Sequence, residues 1–198
     1  TYNGVVQPKL SWHLKDLVPG KDQFFRFADV KPGDYGTNLI SLHVKKNSAY
    51  ACLDFLNLKD KENGVNEPES LVDTNGALGG ELSSGLEFFS WIDDGDGLYE
   101  SNERTLFGTS TKAATSTLRN RSYAVADAVT GTALAPYKTR YVGLYWCAGT
   151  LSVAPGVAPV CNGATVGNEV QTDAMTVDVR VRAVASAYQS KFLCTPGK

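Results

Sequence analysis

The densest ligand chemistry in the chain is acidic: Asp93-Asp94-Gly95-Asp96-Gly97-Leu98-Tyr99-Glu100-Ser101-Asn102-Glu103 carries five carboxylates in eleven residues. Calcium takes roughly 6–8 hard oxygen ligands, and a tight glycine turn lets neighbouring carboxylates converge on one ion. Asp94, Asp96, Glu100 and Glu103 are therefore candidate calcium ligands, and calcium is the candidate cofactor. The segment departs from a helix-loop-helix calcium loop, because with Asp94 first the fifth position is Leu98 and the sixth is Tyr99 where that loop needs Gly. A solvated acidic loop behind a buried Trp91 strand accounts for the same residues without an ion.

The four cysteines, Cys52, Cys147, Cys161 and Cys194, allow three pairings. Spacing favours one. Cys147 ends an apolar stretch and Cys161 follows a Gly/Pro-containing excursion that can return beside it, which leaves Cys52 for Cys194. The competing chemistry is zinc, but the chain has no Cys-x-x-Cys and no histidine near these positions. His13 and His43, the two histidines, lie thirty residues apart with no His-Glu-x-x-His, so they cannot supply the paired ligands of a zinc protease. A serine hydrolase lacks both a Gly-x-Ser-x-Gly elbow and a well-placed base. No catalytic set is expected.

Such groups must be positioned by strands. Residues 37–46 alternate Ile40, Leu42 and Val44 against Ser41, His43 and Lys45. Met175, Val177, Val179, Val181 and Ala183 likewise alternate with Thr176, Asp178, Arg180 and Arg182, giving period 2 in both segments. Shorter β-like runs cover residues 5–14, 23–27, 50–58, 86–92 and 140–146, punctuated by Asn-Gly and Pro-Gly turns. Residues 60–80 read as a long surface connection, and residues 109–131 as an irregular stretch with room for one short helix. The expected fold is all-β, a jelly-roll sandwich in one domain over 1–198, with Ile40, Leu42, Val44, Val177, Val179 and Val181 buried between two sheets.

With 19 Lys+Arg against 21 Asp+Glu and no long basic run, a phosphate-tracking surface is not expected, which argues against nucleic acid as a partner. No apolar run approaches the roughly 20 residues that span a bilayer. An even cysteine count suits an oxidising compartment, and Thr1 suggests that something upstream has been removed, so the expected location is extracellular or the cell surface.

Six segments occur in a set order: Asp29-Val30-Lys31-Pro32-Gly33-Asp34-Tyr35-Gly36, residues 39–44, Asn47-Ser48-Ala49-Tyr50-Ala51-Cys52-Leu53, Gly80-Glu81-Leu82, Phe89-Ser90-Trp91-Ile92-Asp93-Asp94-Gly95-Asp96 and Gly167-Asn168-Glu169-Val170-Gln171-Thr172-Asp173. In that order and spacing they resemble the TasA/camelysin family. The resemblance runs from about residue 25 to residue 182. It implies a jelly-roll subunit of a secreted biofilm-matrix fibre or pilus, polymerised with copies of itself when an N-terminal strand of one subunit completes the sheet of the next. On that expectation Val5, Val6, Leu10, Trp12 and Leu14 are the apolar residues available for polymerisation. The family's apolar first strand is not evident before Thr1-Tyr2-Asn3-Gly4, so either residues 5–14 take that role or the donor strand is missing. The alternatives are a secreted metalloprotease of the camelysin type, for which the chain offers no zinc motif, and a calcium-dependent surface adhesin.

Overall fold

The period-2 segments around residues 37–46 and 175–183 are realised as strands in the computed structural model, which describes residues 1–7, 17–22, 30–75 and 79–195. In chain order they are β1 (Tyr35–His43), β2 (Ala49–Lys61), β3 (Leu86–Asp93), β4 (Lys112–Ala113), β5 (Arg121–Ala126), β6 (Thr139–Ala148), β7 (Thr150–Ser152), β8 (Val160–Asn162) and β9 (Ala174–Ala185). The α-helices among the described residues are two single turns, α1 (Leu82–Gly85) and α2 (Ala114–Thr117). The fold is all-β.

A four-stranded sheet of order β1-β6-β3-β4 faces a three-stranded sheet of order β5-β2-β9, and β7 with β8 forms a separate hairpin. Every pairing among the described strands is antiparallel. Between the sheets lie Leu53, Phe55, Phe88, Val125, Val142, Leu144 and Trp146, all buried in one cluster. Tertiary burial of one strand face supplies most of the stability of such a sandwich.

The outer face of the four-stranded sheet is also buried, because Phe89, Trp91, Tyr145, Cys147 and Leu151 form a second cluster with Tyr99 packed against it. Phe88 and Phe89 thus face opposite ways, one into the core and one beneath the acidic loop, where Phe89 and Tyr99 meet edge-on at 4.9 Å. Trp91 is accommodated by the glycine opposite it on β6: a Cβ at Gly143 would lie 2.2 Å from the indole ring.

Two expectations are corrected. Val181 is 42% exposed, and Ile40, Leu42, Val44, Val177 and Val179 are half-buried, because β1 and β9 are the edge strands of their sheets and neither has a neighbour beyond it among the described strands. In addition, the irregular stretch contains β5, whose short apolar run is masked in sequence by flanking Ser, Thr and Asn. Residues 10, 12 and 14 of the expected N-terminal strand, residues 23–27 and His13 lie outside the described residues.

Candidate functional site

One side of the sandwich is closed by its connections. The single turn α2 follows β4 at once and leads within a few residues to β5, so these two edges lie together, and Arg104 Nη2 donates to the Ala124 and Val125 carbonyls there at 2.9 Å. The opposite side is therefore flanked by β1 and β9.

Hydrogen bonds from the first residues fix which backbone groups of β1 face away from β6. The Thr1 amine donates to the Thr37 carbonyl at 2.5 Å, and Asn3 N–H donates to the Tyr35 carbonyl at 2.7 Å. Residues 35 and 37 thus point away from β6, and with an unbroken register so do Leu39, Ser41 and His43. For β9, Ser186 N–H donates to the Ser48 carbonyl at 3.0 Å in continuation of the β2 register, so Val179, Val181 and Ala183 turn their backbone groups outward. No described residue hydrogen-bonds to the outward backbone groups of β1 beyond Thr37 or to those of β9. Between these two open edges the half-buried Ile40, Leu42, Val44, Met175, Val177 and Val179 line the mouth of the core.

The first residues are tied to the start of this edge. Tyr2 bridges Gly36, its ring packs on Trp146 at 5.7 Å, and its hydroxyl and the Asn3 amide donate to the two carboxylate oxygens of Asp34 at 2.5 and 2.7 Å. Burial pushes the Asp34 carboxyl up, but these donors, with the Lys31 N–H, outweigh it and hold its pKa below the ordinary value. Gly36 is required for the approach, since a Cβ there would lie 2.4 Å from the Thr1 carbonyl. The chain then turns outward: Val5 and Val6 are exposed and fill no groove of their own sandwich. Leu10, Trp12 and Leu14 lie outside the described residues.

Two disulfides staple the outer faces. Cys147–Cys161 joins β6 to β8, and Cys52–Cys194 pins the C-terminal tail across the three-stranded sheet, each with Cα atoms 5.5 Å apart. Phe192 stacks over Tyr50 beside the second bridge.

Of the acidic segment, Asp94, Glu100 and Glu103 bring carboxylate oxygens within 4.8 Å of one another, and Asp93, Asp94 and Asp96 do the same. Much of this acceptor capacity is spent locally. Glu103 accepts the Asp94 and Glu100 N–H groups at 2.9 and 2.8 Å, and Asp93 accepts Trp91 Nε1, at 2.9 Å, and the Gly95 and Gly97 N–H groups. The Glu100 carboxyl is pushed up to about 7 by desolvation and by the neighbouring Glu103, Asp96 and Asp94. His43 is exposed, with Nδ1 3.2 Å from Thr139 Oγ1.

A third carboxylate group, Glu62, Glu69 and Asp173, escapes sequence inspection because more than a hundred residues separate its ends and Glu69 sits in what reads as a surface connection. Glu69 is in fact fully buried. Comparison with family models, characterised proteins and solved structures finds no match to this chain.

Proposed function

We propose that the chain is a structural subunit of an extracellular fibre or pilus of the biofilm-matrix kind, polymerised head to tail by donor-strand complementation. The observation that carries this is that β1 and β9 are edge strands with no neighbour beyond them among the described residues, with half-buried apolar side chains between them. A strand added there would pair with backbone groups that no described residue engages and cover Ile40, Leu42, Val177 and Val179. Each apolar side chain so buried contributes on the order of 1.5–3 kcal/mol before the ordering cost of the incoming segment.

The donor is the N-terminal segment after Val5, with Val5, Val6, Leu10, Trp12 and Leu14 as its apolar residues; the exposure of Val5 and Val6 is consistent with this. Thr1 to Asn3 remain clipped to β1, so the donor leaves its own subunit from the clip outward. Because donor and acceptor are different surfaces, the contact is heterologous and propagates as a filament. On this account the sandwich is a jelly roll, the protein is secreted, its partners are copies of itself, and turnover is not its role. Two disulfides suit an oxidising environment, and no helix among the described residues is long and apolar enough to cross a membrane.

Negative-stain microscopy of the purified chain tests the proposal. Fibres are expected from the full chain and only folded, disulfide-bonded monomers after deletion of residues 1–14. Undiminished fibres from the truncation would place the polymer contact elsewhere.

A further inference from the structure

Between β2 and α1, the one fully buried side chain among the described residues of 62–81 is a glutamate. Glu69 Oε2 is satisfied: it accepts the Asn66 N–H at 3.3 Å and the Thr172 hydroxyl at 2.8 Å. Its Oε1 is buried with no hydrogen-bond partner, and so are Glu62 Oε2, Asp173 Oδ1 and Glu81 Oε2. Asp173 spends its other oxygen on the Glu81 and Leu82 N–H groups at the start of α1.

Carboxylate oxygens of Glu62, Glu69 and Asp173 lie within 4.8 Å of one another. No Lys or Arg among the described residues pairs with any of them. Unpaired buried carboxylates are costly, and so is a like-charged cluster of them. The strain registers on Asp173, whose pKa is pushed up to about 6 by desolvation and by Glu62 and Glu81. A bound cation would remove both penalties.

We infer that Glu62, Glu69 and Asp173 form a divalent-cation site, selective for calcium, that fastens the 62–81 connection to the segment entering β9. The donors are all hard oxygens, with no histidine or thiol among them, which excludes a zinc- or copper-type preference. Calcium binds oxygen at about 2.3–2.6 Å, so two ligands of one ion stand at most about 5 Å apart, which accommodates the 4.8 Å grouping; magnesium demands a tighter octahedron. The site stands whether or not the chain polymerises, and it is separate from the acidic loop at Asp94 to Glu103, where Asp96 and Glu103 already accept backbone N–H groups.

The test is calcium titration calorimetry of the full chain in chelator-stripped buffer at pH 7, with thermal melts in calcium and in chelator. Glu69→Gln and Asp173→Asn keep the acceptor oxygens that hold Asn66, Thr172, Glu81 and Leu82 while removing one charge each. Wild type should bind one calcium here, and its Tm should rise by about 5 °C or more at a hundredfold excess over Kd. Each variant should bind at least tenfold more weakly, while in chelator it melts no lower than wild type because a repulsion has gone. Glu62→Gln, half-buried, serves the same purpose if either of the others fails to fold, and Glu100→Gln with Glu103→Gln should leave this binding intact. Absence of calcium binding by the wild type, wild-type affinity in Glu69→Gln and Asp173→Asn, or loss of all binding with the Glu100 and Glu103 changes alone would overturn the assignment.

Discussion

Arg182 grips Asp54 with both ends of its guanidinium, Nε 2.5 Å from Oδ2 and Nη2 3.0 Å from Oδ1, on the outer face of the three-stranded sheet. Asp54 is only 1% exposed, and Arg180 and Ser122 complete its shell at 2.9 and 2.7 Å. Arg182 also donates to the Thr195 carbonyl, so one charged group joins β2, β5, β9 and the tail.

Removing that partner leaves a buried carboxylate underpaired. Arg182→Ala should therefore destabilise the protein by about 3 kcal/mol at pH 7 in chemical denaturation. A loss below about 1 kcal/mol would mean that Arg180 alone suffices.

The same contact sets an acid limb. Burial raises the Asp54 pKa, but hydrogen bonds from Arg182, Ser122 and Arg180 more than offset this and hold it below the ordinary value. A depressed carboxylate pKa contributes stability that is full above the unfolded value near 4 and is lost as pH falls through the lower folded value. Denaturation midpoints should drop between pH 5 and pH 2, and less steeply in Arg182→Ala; equal slopes in the two proteins would show that other carboxylates govern the limb.

The two disulfides should differ in worth. Their sequence separations are 142 and 14, and chain entropy gives about 5 kcal/mol for closing the longer loop and about 3 kcal/mol for the shorter. Replacing Cys52 and Cys194 together by Ala should accordingly cost more than replacing Cys147 and Cys161. Equal losses, measured by denaturant midpoints, would indicate that strain or residual unfolded structure dominates.

Strand identity was legible wherever apolar residues alternated over a long stretch, as in β1 and β9, and wherever aromatics crowded a run, as in β3 and β6. β5 was not, because Arg121 to Ala126 carries little alternation and is held by pairing with β2. Period 2 assigned Val181 correctly to a face but could not tell that the face ends at an edge, since sheet order is a long-range property. The acidic loop was visible because its residues are contiguous; Glu62, Glu69 and Asp173 were not, because only the fold brings them together.

Packing around Trp91 offers a sharp check on the two-sided burial of the four-stranded sheet. Gly143→Ala places a methyl inside the indole's space and should destabilise by about 2–3 kcal/mol, with a changed tryptophan fluorescence spectrum. A neutral effect would mean that Trp91 can move outward beneath Tyr99.

The polymerisation account is tested most directly by Ser41→Pro. The Ser41 N–H faces the edge of β1 away from β6, where no described residue accepts it, so proline there removes a donor available to an incoming strand. Electron microscopy should show no fibres from Ser41→Pro alongside a wild-type melting temperature, while Ser41→Ala assembles normally. Fibres of ordinary abundance and form from Ser41→Pro would contradict strand addition at β1.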